Sequence, residues 1–133
     1  MKTGLAIYNI LANNAPVAAL VGTRIFPNVT KVGTTFPFII YDVEAETPTD
    51  YKQGVSSLDT DIVTVSAYST TYTEASDLAL KIRTALDRVS GTYGGVEVQS
   101  IKYDGYYDLF DDDSGNEGIY RKALDFNIRI INS

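Results

Sequence analysis

The chain has 133 residues, 44% of them hydrophobic and 21% charged, and a formal charge of −6. That length suits one domain (1–133) able to bury about two-thirds of its unfolded surface, and no apolar run is long enough to span a membrane. Cysteine and histidine are absent, which excludes disulfides, thiolate nucleophiles, zinc–sulfur sites and a Ser-His-Asp triad, and the acidic balance argues against a surface that wraps nucleic acid.

The opening MKTGLAIYNILANN does not read as a secretion signal, because Asn9 interrupts its short apolar stretch and no small-residue cleavage site follows. From about Thr3 to Asn13, residues Leu5, Tyr8, Leu11 and Ala12 share a helical face, with Thr3 placed to cap the start and Asn13 and Asn14 to end it. NAPVAALVG reads as a second short helix, with Asn14 near the cap, Pro16 in the first turn and Gly22 at the exit. TRIFP is a short strand stopped by Pro27, and PFIIYDVEAE (37–46) is a strand rich in β-branched and aromatic residues. The segment 47–57, TPTDYKQGVSS, contains Pro48 and Gly54 and is expected as a long loop. Its Tyr51 and Lys52 suit a segment that orders on contact with a neighbouring subunit or another protein. LDTDIVTVSAYS (58–69) then forms a strand with Val63, Val65 and Ala67 on one face.

The clearest element is a helix over about 72–90. Ala75, Leu78, Ala79, Ile82, Leu86 and Val89 fall on one stripe at helical spacing. Thr71 and Glu74 have capping-box spacing, Gly91 stands just past the expected end, and acids precede bases as the helix dipole favours. GTYGG turns the chain into a strand over 96–110. Val96 and Val98 share one phase there while Ile101 and Tyr103 take the other, so a bulge is expected near Gln99 and Ser100. In the last strand, IYRKALDFNIRII, Tyr120, Leu124, Phe126, Ile128 and Ile130 face one way and Arg121, Asp125, Asn127 and Arg129 the other. One face buried and one wet is the pattern of an antiparallel sheet with helices on one side.

Two features invite a functional reading. The first is LFDDDSGNEGIY (109–120), where Asp111, Asp112, Asp113 and Glu117 crowd together between two strands. Turn chemistry alone accounts for Asp, Ser, Gly and Asn in a hairpin loop. As a Ca²⁺ site the stretch offers Asp111, Asp113 and Glu117, but Gly115 occupies the next alternate position and the spacing lacks the distal glutamate of a calcium loop. Adjacent, solvated aspartates also lack the burial that raises a catalytic carboxyl's pKa. The second feature is the cluster Tyr103, Tyr106, Tyr107 and Phe110. It reads as strand packing or as a protein interface, since tyrosine joins an apolar ring to a polar tip. As a platform for stacking bases it is opposed by Asp104, Asp108 and the aspartates that follow.

The stretches APVAALVGTRIFP, FPFIIYDVEAETP, VTVSAYSTTYTEASDLALKIRTAL and GIYRKALDFNIRI, in this order over about residues 15–131, resemble the small tail-completion proteins of long-tailed bacteriophages, a family that includes tail terminators and tail-to-head joining proteins. The resemblance implies an α+β fold in which one long helix and short N-terminal helices pack on a mostly antiparallel sheet. It implies no catalytic residue, no cofactor and no resident metal. The implied role is a homohexameric ring in the virion, assembled in the host bacterial cytoplasm on the head-proximal end of the tail tube. There it ends tube growth and meets the tail tube protein on one side and a head connector or stopper on the other, with genomic DNA passing through and no membrane involved. A connector on the portal side is the alternative within the same assembly, and a Ca²⁺-binding module is the alternative from another class. An acidic lumen would repel DNA phosphates, so Asp111, Asp112, Asp113 and Glu117 are candidates for lining the channel or meeting a neighbour. Tyr51, Lys52, Tyr106 and Tyr107 are the other interface candidates.

Overall fold

The period-2 and period-3.6 apolar patterns meet on one face of one sheet. The computed structural model describes residues 3–28, 35–51, 54–111 and 119–131, with side chains described except at 44–51, 54–59 and 111. The elements are α1 (Thr3–Ala12), α2 (Ala15–Val21), β1 (Ile25–Pro27), β2 (Phe38–Tyr51), β3 (Gly54–Ser69), α3 (Tyr72–Leu86), β4 (Gly91–Tyr93), β5 (Val96–Asp111) and β6 (Ile119–Ile131). The strands form a single sheet in the order β1-β2-β3-β6-β5-β4. Only β1 runs parallel to its neighbour; every other pairing is antiparallel. This is the expected α+β architecture.

All three helices cover the same side. Leu78, Ile82 and Leu86 of α3 pack with Val63 and Val65 of β3 and Phe126 and Ile128 of β6, while Ile7 and Leu11 of α1 and Val17 and Val21 of α2 complete the core. The N-terminal signals act as read: the Asn14 side chain accepts a bond from the Val17 N–H at 3.1 Å, and Gly22 leaves α2 with φ 58°. Thr3 behaves differently. It opens α1, but its hydroxyl donates to the carboxylate of Asp61, a fully buried residue of β3, and so ties the helix start to the sheet.

The capping box of α3 is relayed. The Thr71 hydroxyl accepts from the Glu74 N–H at 3.3 Å. Instead of reaching back to the Thr71 N–H, the Glu74 carboxylate accepts from the buried Ser69 hydroxyl at 2.6 Å, and that hydroxyl accepts from the Thr71 N–H at 3.2 Å. The helix itself ends at Leu86, not near 90. Asp87 turns to an extended conformation (φ −66°, ψ 128°) and Arg88 enters the left-handed region (φ 63°). Strand β5 claims this segment: the Arg88 N–H donates to the Ile101 carbonyl at 2.8 Å, and the Asp87 carboxylate accepts the Tyr103 N–H at 3.1 Å. Gly91 is consequently the first residue of β4 and not a helix exit.

The expected loop at 47–57 is strand. β2 continues to Tyr51 and β3 begins at Gly54, with Thr47 opposite Thr60, Pro48 opposite Asp59 and Tyr51 opposite Gly54. Pro48 is tolerated because β1 accompanies β2 only from Ile39 to Tyr41, so this part of β2 is a sheet edge where a missing N–H breaks no inner ladder. The bulge expected near Gln99 is present, as Val98 pairs with Ile130 and Ser100 with Arg129; a second shift separates Tyr103 from Gly105, which has φ 138°.

The side of the sheet away from the helices closes on itself. Rings of Phe36 and Phe38 approach at 5.0 Å and those of Phe38 and Tyr68 stack at 4.9 Å. Arg121 lies over Tyr68 and donates to the Ser66 hydroxyl at 3.1 Å, and Thr64 donates to Asp125 at 2.7 Å. Burial holds the Tyr68 hydroxyl above its ordinary pKa, outweighing the lowering effect of Arg121.

Two leucine-type positions on α3 test this packing. Ile82 is fully buried and Leu80 is 62% exposed. Ile82→Ala is expected to cost about 3 kcal/mol and to lower the melting temperature by about 10 °C, while Leu80→Ala changes stability by less than about 0.5 kcal/mol. Calorimetry of both variants checks the assignment, and equal losses would refute it.

Candidate interaction surface

The length of β5 sets up the site. β4 accompanies it only from Val96 to Val98, and the segment 87–88 satisfies Ile101 and Tyr103. Past Tyr103, no element among the described residues lies along the outer edge of β5. That open stretch carries Tyr106 (59% exposed), Tyr107 (43%), Leu109 (43%) and Phe110 (55%). Because side chains alternate along a strand, Tyr106 and Phe110 lie on the helix side and Tyr107 and Leu109 on the other. The pairings agree, with Tyr106 opposite Leu124 and Tyr107 opposite Ala123. Natural edges are usually blunted by charge, proline or a covering element; here large apolar groups flank the open backbone on both faces.

On the helix side the edge continues into a groove of about 250 Å³ between α3 and the β5–β6 hairpin. Tyr72, Ser76, Leu80 and Arg83 line it from α3, and Tyr106 and Lys122 from the sheet. The α3 residues form a second stripe beside the core stripe, which explains why Leu80 points away from the core. The rings of Tyr72 and Tyr120 meet edge-on at 5.8 Å, and Phe110 lies 4.7 Å from Tyr120. Arg83 stacks 4.1 Å over Tyr103. The Ser76 hydroxyl is buried and has no hydrogen-bond partner.

Lys122 holds this surface together. It occupies the core-facing phase of β6 just beyond Leu124 and is only 6% exposed. Its ammonium bonds the Asp108 carboxylate at 2.7 Å, lies 4.4 Å over the Tyr72 ring and 5.5 Å from that of Tyr106. Burial alone pulls its pKa down, but the bonds to Asp108 and Tyr72 pull further in the other direction, and the net result is raised. A lysine kept charged in this way is the opposite of an activated amine nucleophile.

The sequence-based candidates do not converge on one place. Tyr106 and Tyr107 are exposed strand neighbours, as an interface requires. Asp111 is the last residue of β5, while Asp112, Asp113 and Glu117 lie outside the described residues. Tyr51 ends β2, and Lys52 lies outside the described residues. The two regions sit at opposite ends of the sheet: β3 faces β6 from Leu58 opposite Ile131 to Ser69 opposite Tyr120, a run of about 36 Å at ~3.3 Å per residue. Among the described residues no group of carboxylates could hold a metal ion.

Sequence reasoning missed three parts of the surface. Lys122 was detectable as the one charged residue in the apolar phase of β6, and Leu80 as a large apolar residue off the main helical stripe. The third is a basic cluster where scattered cations gave no hint of one. Arg88, Lys102 and Arg129, all exposed, line a groove of about 520 Å³, because Lys102 and Arg129 share the non-helix face of β5 and β6 while the end of α3 brings in Arg88.

Comparison with known proteins places this geometry. No curated protein matches the chain. A chain from a structure described as the virion of a native gene transfer agent particle is similar in fold, with a TM-score of 0.77 and 18% sequence identity over 94% of this chain and 91% of that one. The family described as tail completion protein gp17 matches residues 5–131. A match across nearly the whole sequence, on a domain with an uncovered aromatic edge, makes this chain a member of the tail completion protein gp17 family, virion structural proteins of the bacteriophage tail and its junction with the head.

Proposed function

We propose that this protein is a tail terminator: a non-enzymatic ring, homohexameric as the family resemblance implies, that binds the head-proximal end of the tail tube, stops its growth and presents a docking surface to the head connector. The observation that carries the reading is the open edge of β5 with exposed apolar groups on both faces, since such an edge in an assembly protein is a surface waiting for another chain. The structural neighbour supports it, because that chain belongs to a virion particle. The lack of histidine and cysteine and the charged state of Lys122 agree with a role in binding.

In this reading DNA passes through the ring without being gripped. The groove of Arg88, Lys102 and Arg129 then faces away from the lumen, and the acidic stretch Asp111, Asp112, Asp113 and Glu117 faces the channel or an adjoining ring, where like charge keeps phosphates moving.

Electron microscopy of purified tail tubes with and without the protein tests the reading. The expected result is a ring of density on one end only and tubes of uniform length; uncapped tubes of unchanged length would shift the assignment to the portal side. Replacing Asp111, Asp112 and Asp113 with Asn and Glu117 with Gln is expected to leave the melting temperature within about 2 °C of wild type while lowering the yield of infectious particles. Normal infectivity of that variant would remove the channel role.

A further inference from the structure

The β2–β3 hairpin overhangs the sheet. β6 stops at Ile131, opposite Leu58, and β1 stops at Pro27, opposite Tyr41. From Pro48 through Gly54 to Ser57 the two strands therefore have only each other as neighbours. A two-stranded ribbon is marginally stable alone in water, so this arm and the open aromatic edge of β5 are both incomplete.

They cannot complete each other within one subunit. β3 and β6 stand between β2 and β5 in the sheet, and the arm projects past the Ile131 end while residues 104–111 approach the Ile119 end. We infer that they meet between copies: the arm of one subunit, residues 48–57, lies along the β5 edge of the next, residues 104–111, adding its backbone to the open ladder between the flanking rings of Tyr106, Phe110 and Tyr107. Charge selects this part of β2. Asp42, Glu44 and Glu46 precede the arm and would meet Asp104 and Asp111 with like charge, whereas the arm balances Asp50 with Lys52. Main-chain pairing supplies affinity and the side-chain contacts supply selectivity, as in other strand-addition interfaces. This contact rests on the ring reading and assigns it a subunit interface.

The cysteine-free sequence makes cross-linking a clean test. A variant carrying Val55→Cys and Tyr107→Cys, and a second carrying Thr49→Cys and Leu109→Cys, are assembled on purified tail tubes, treated with a short bis-maleimide and run on a denaturing gel, with part of each sample imaged. The expected result is a ladder of covalent oligomers from each double variant, and none from Val55→Cys or Thr49→Cys alone. Capped tubes without a ladder overturn the arm contact and leave the ring reading standing. Uncapped wild-type tubes overturn the ring reading itself. A cross-linked dimer from Tyr107→Cys alone would mean that β5 edges pair with each other, which also overturns the inference.

Discussion

A mismatch of strand lengths shapes this molecule. β1 and β4 have 3 residues each, while β2 and β5, which they flank, have 14 and 16. Both short strands are limited locally. β1 ends at Pro27, and the next residue, Asn28, takes a left-handed conformation (φ 63°). β4 is confined between the exit of α3 and the Gly94–Gly95 turn, both of whose residues have positive φ and whose twist suits a tight hairpin. A side chain at Gly94 would also strike Asn9 of α1, at 2.5 Å, so the turn is pressed against the helix layer. The sheet is covered on its helix face and self-covered on much of the other, yet it keeps long open edges on both sides.

Lys122 shows how one of these edges is kept in shape without being closed. Burying a lone ammonium costs several kcal/mol, and a partner restores that only when the geometry is good. Here the partner is Asp108, directly opposite on β5, and the rings of Tyr72 and Tyr106 add their negative faces. The contact joins the start of α3, the open stretch of β5 and the last strand in one cluster. It fixes the aromatic groups that a partner would meet, so less ordering remains to be done on binding. An aliphatic side chain at this position would bury more comfortably but would not orient the Asp108 and Tyr72 side chains.

The parts legible in the sequence were those governed by short-range rules. Ala75, Leu78, Ile82 and Leu86 gave α3 its buried stripe, Asn14 and Gly22 bounded α2, and the phase change after Val98 marked the bulge at Gln99. The parts that were not legible depend on contacts distant in sequence. α3 stops at Leu86 because β5 takes Asp87 and Arg88 as hydrogen-bond partners, which no local signal announces. Pro48 and Gly54 suggested a loop because they disfavour strands in general; they are accommodated because β1 is too short to reach them. The groove of Arg88, Lys102 and Arg129 likewise exists only through cross-strand register. Of the interface, Tyr106 and Tyr107 could be picked out by composition, but the open edge that exposes them follows from strand order.

The same strand order restricts the kind of assembly available. Identical edges pairing about a two-fold axis would give a closed dimer, whereas two unlike surfaces on one subunit produce head-to-tail contacts that end in a ring when the rotation closes. This chain has unlike surfaces: an overhanging arm on the β2 side and an aromatic edge on the β5 side. Like charge adds a further bias, because Asp104, Asp108 and Asp111 of two β5 edges would face one another in a two-fold pairing, with only Asp108 neutralised by Lys122. The geometry and the charge both favour rotation over reflection of the interface onto itself, the symmetry that a component seated on a cylindrical tail requires.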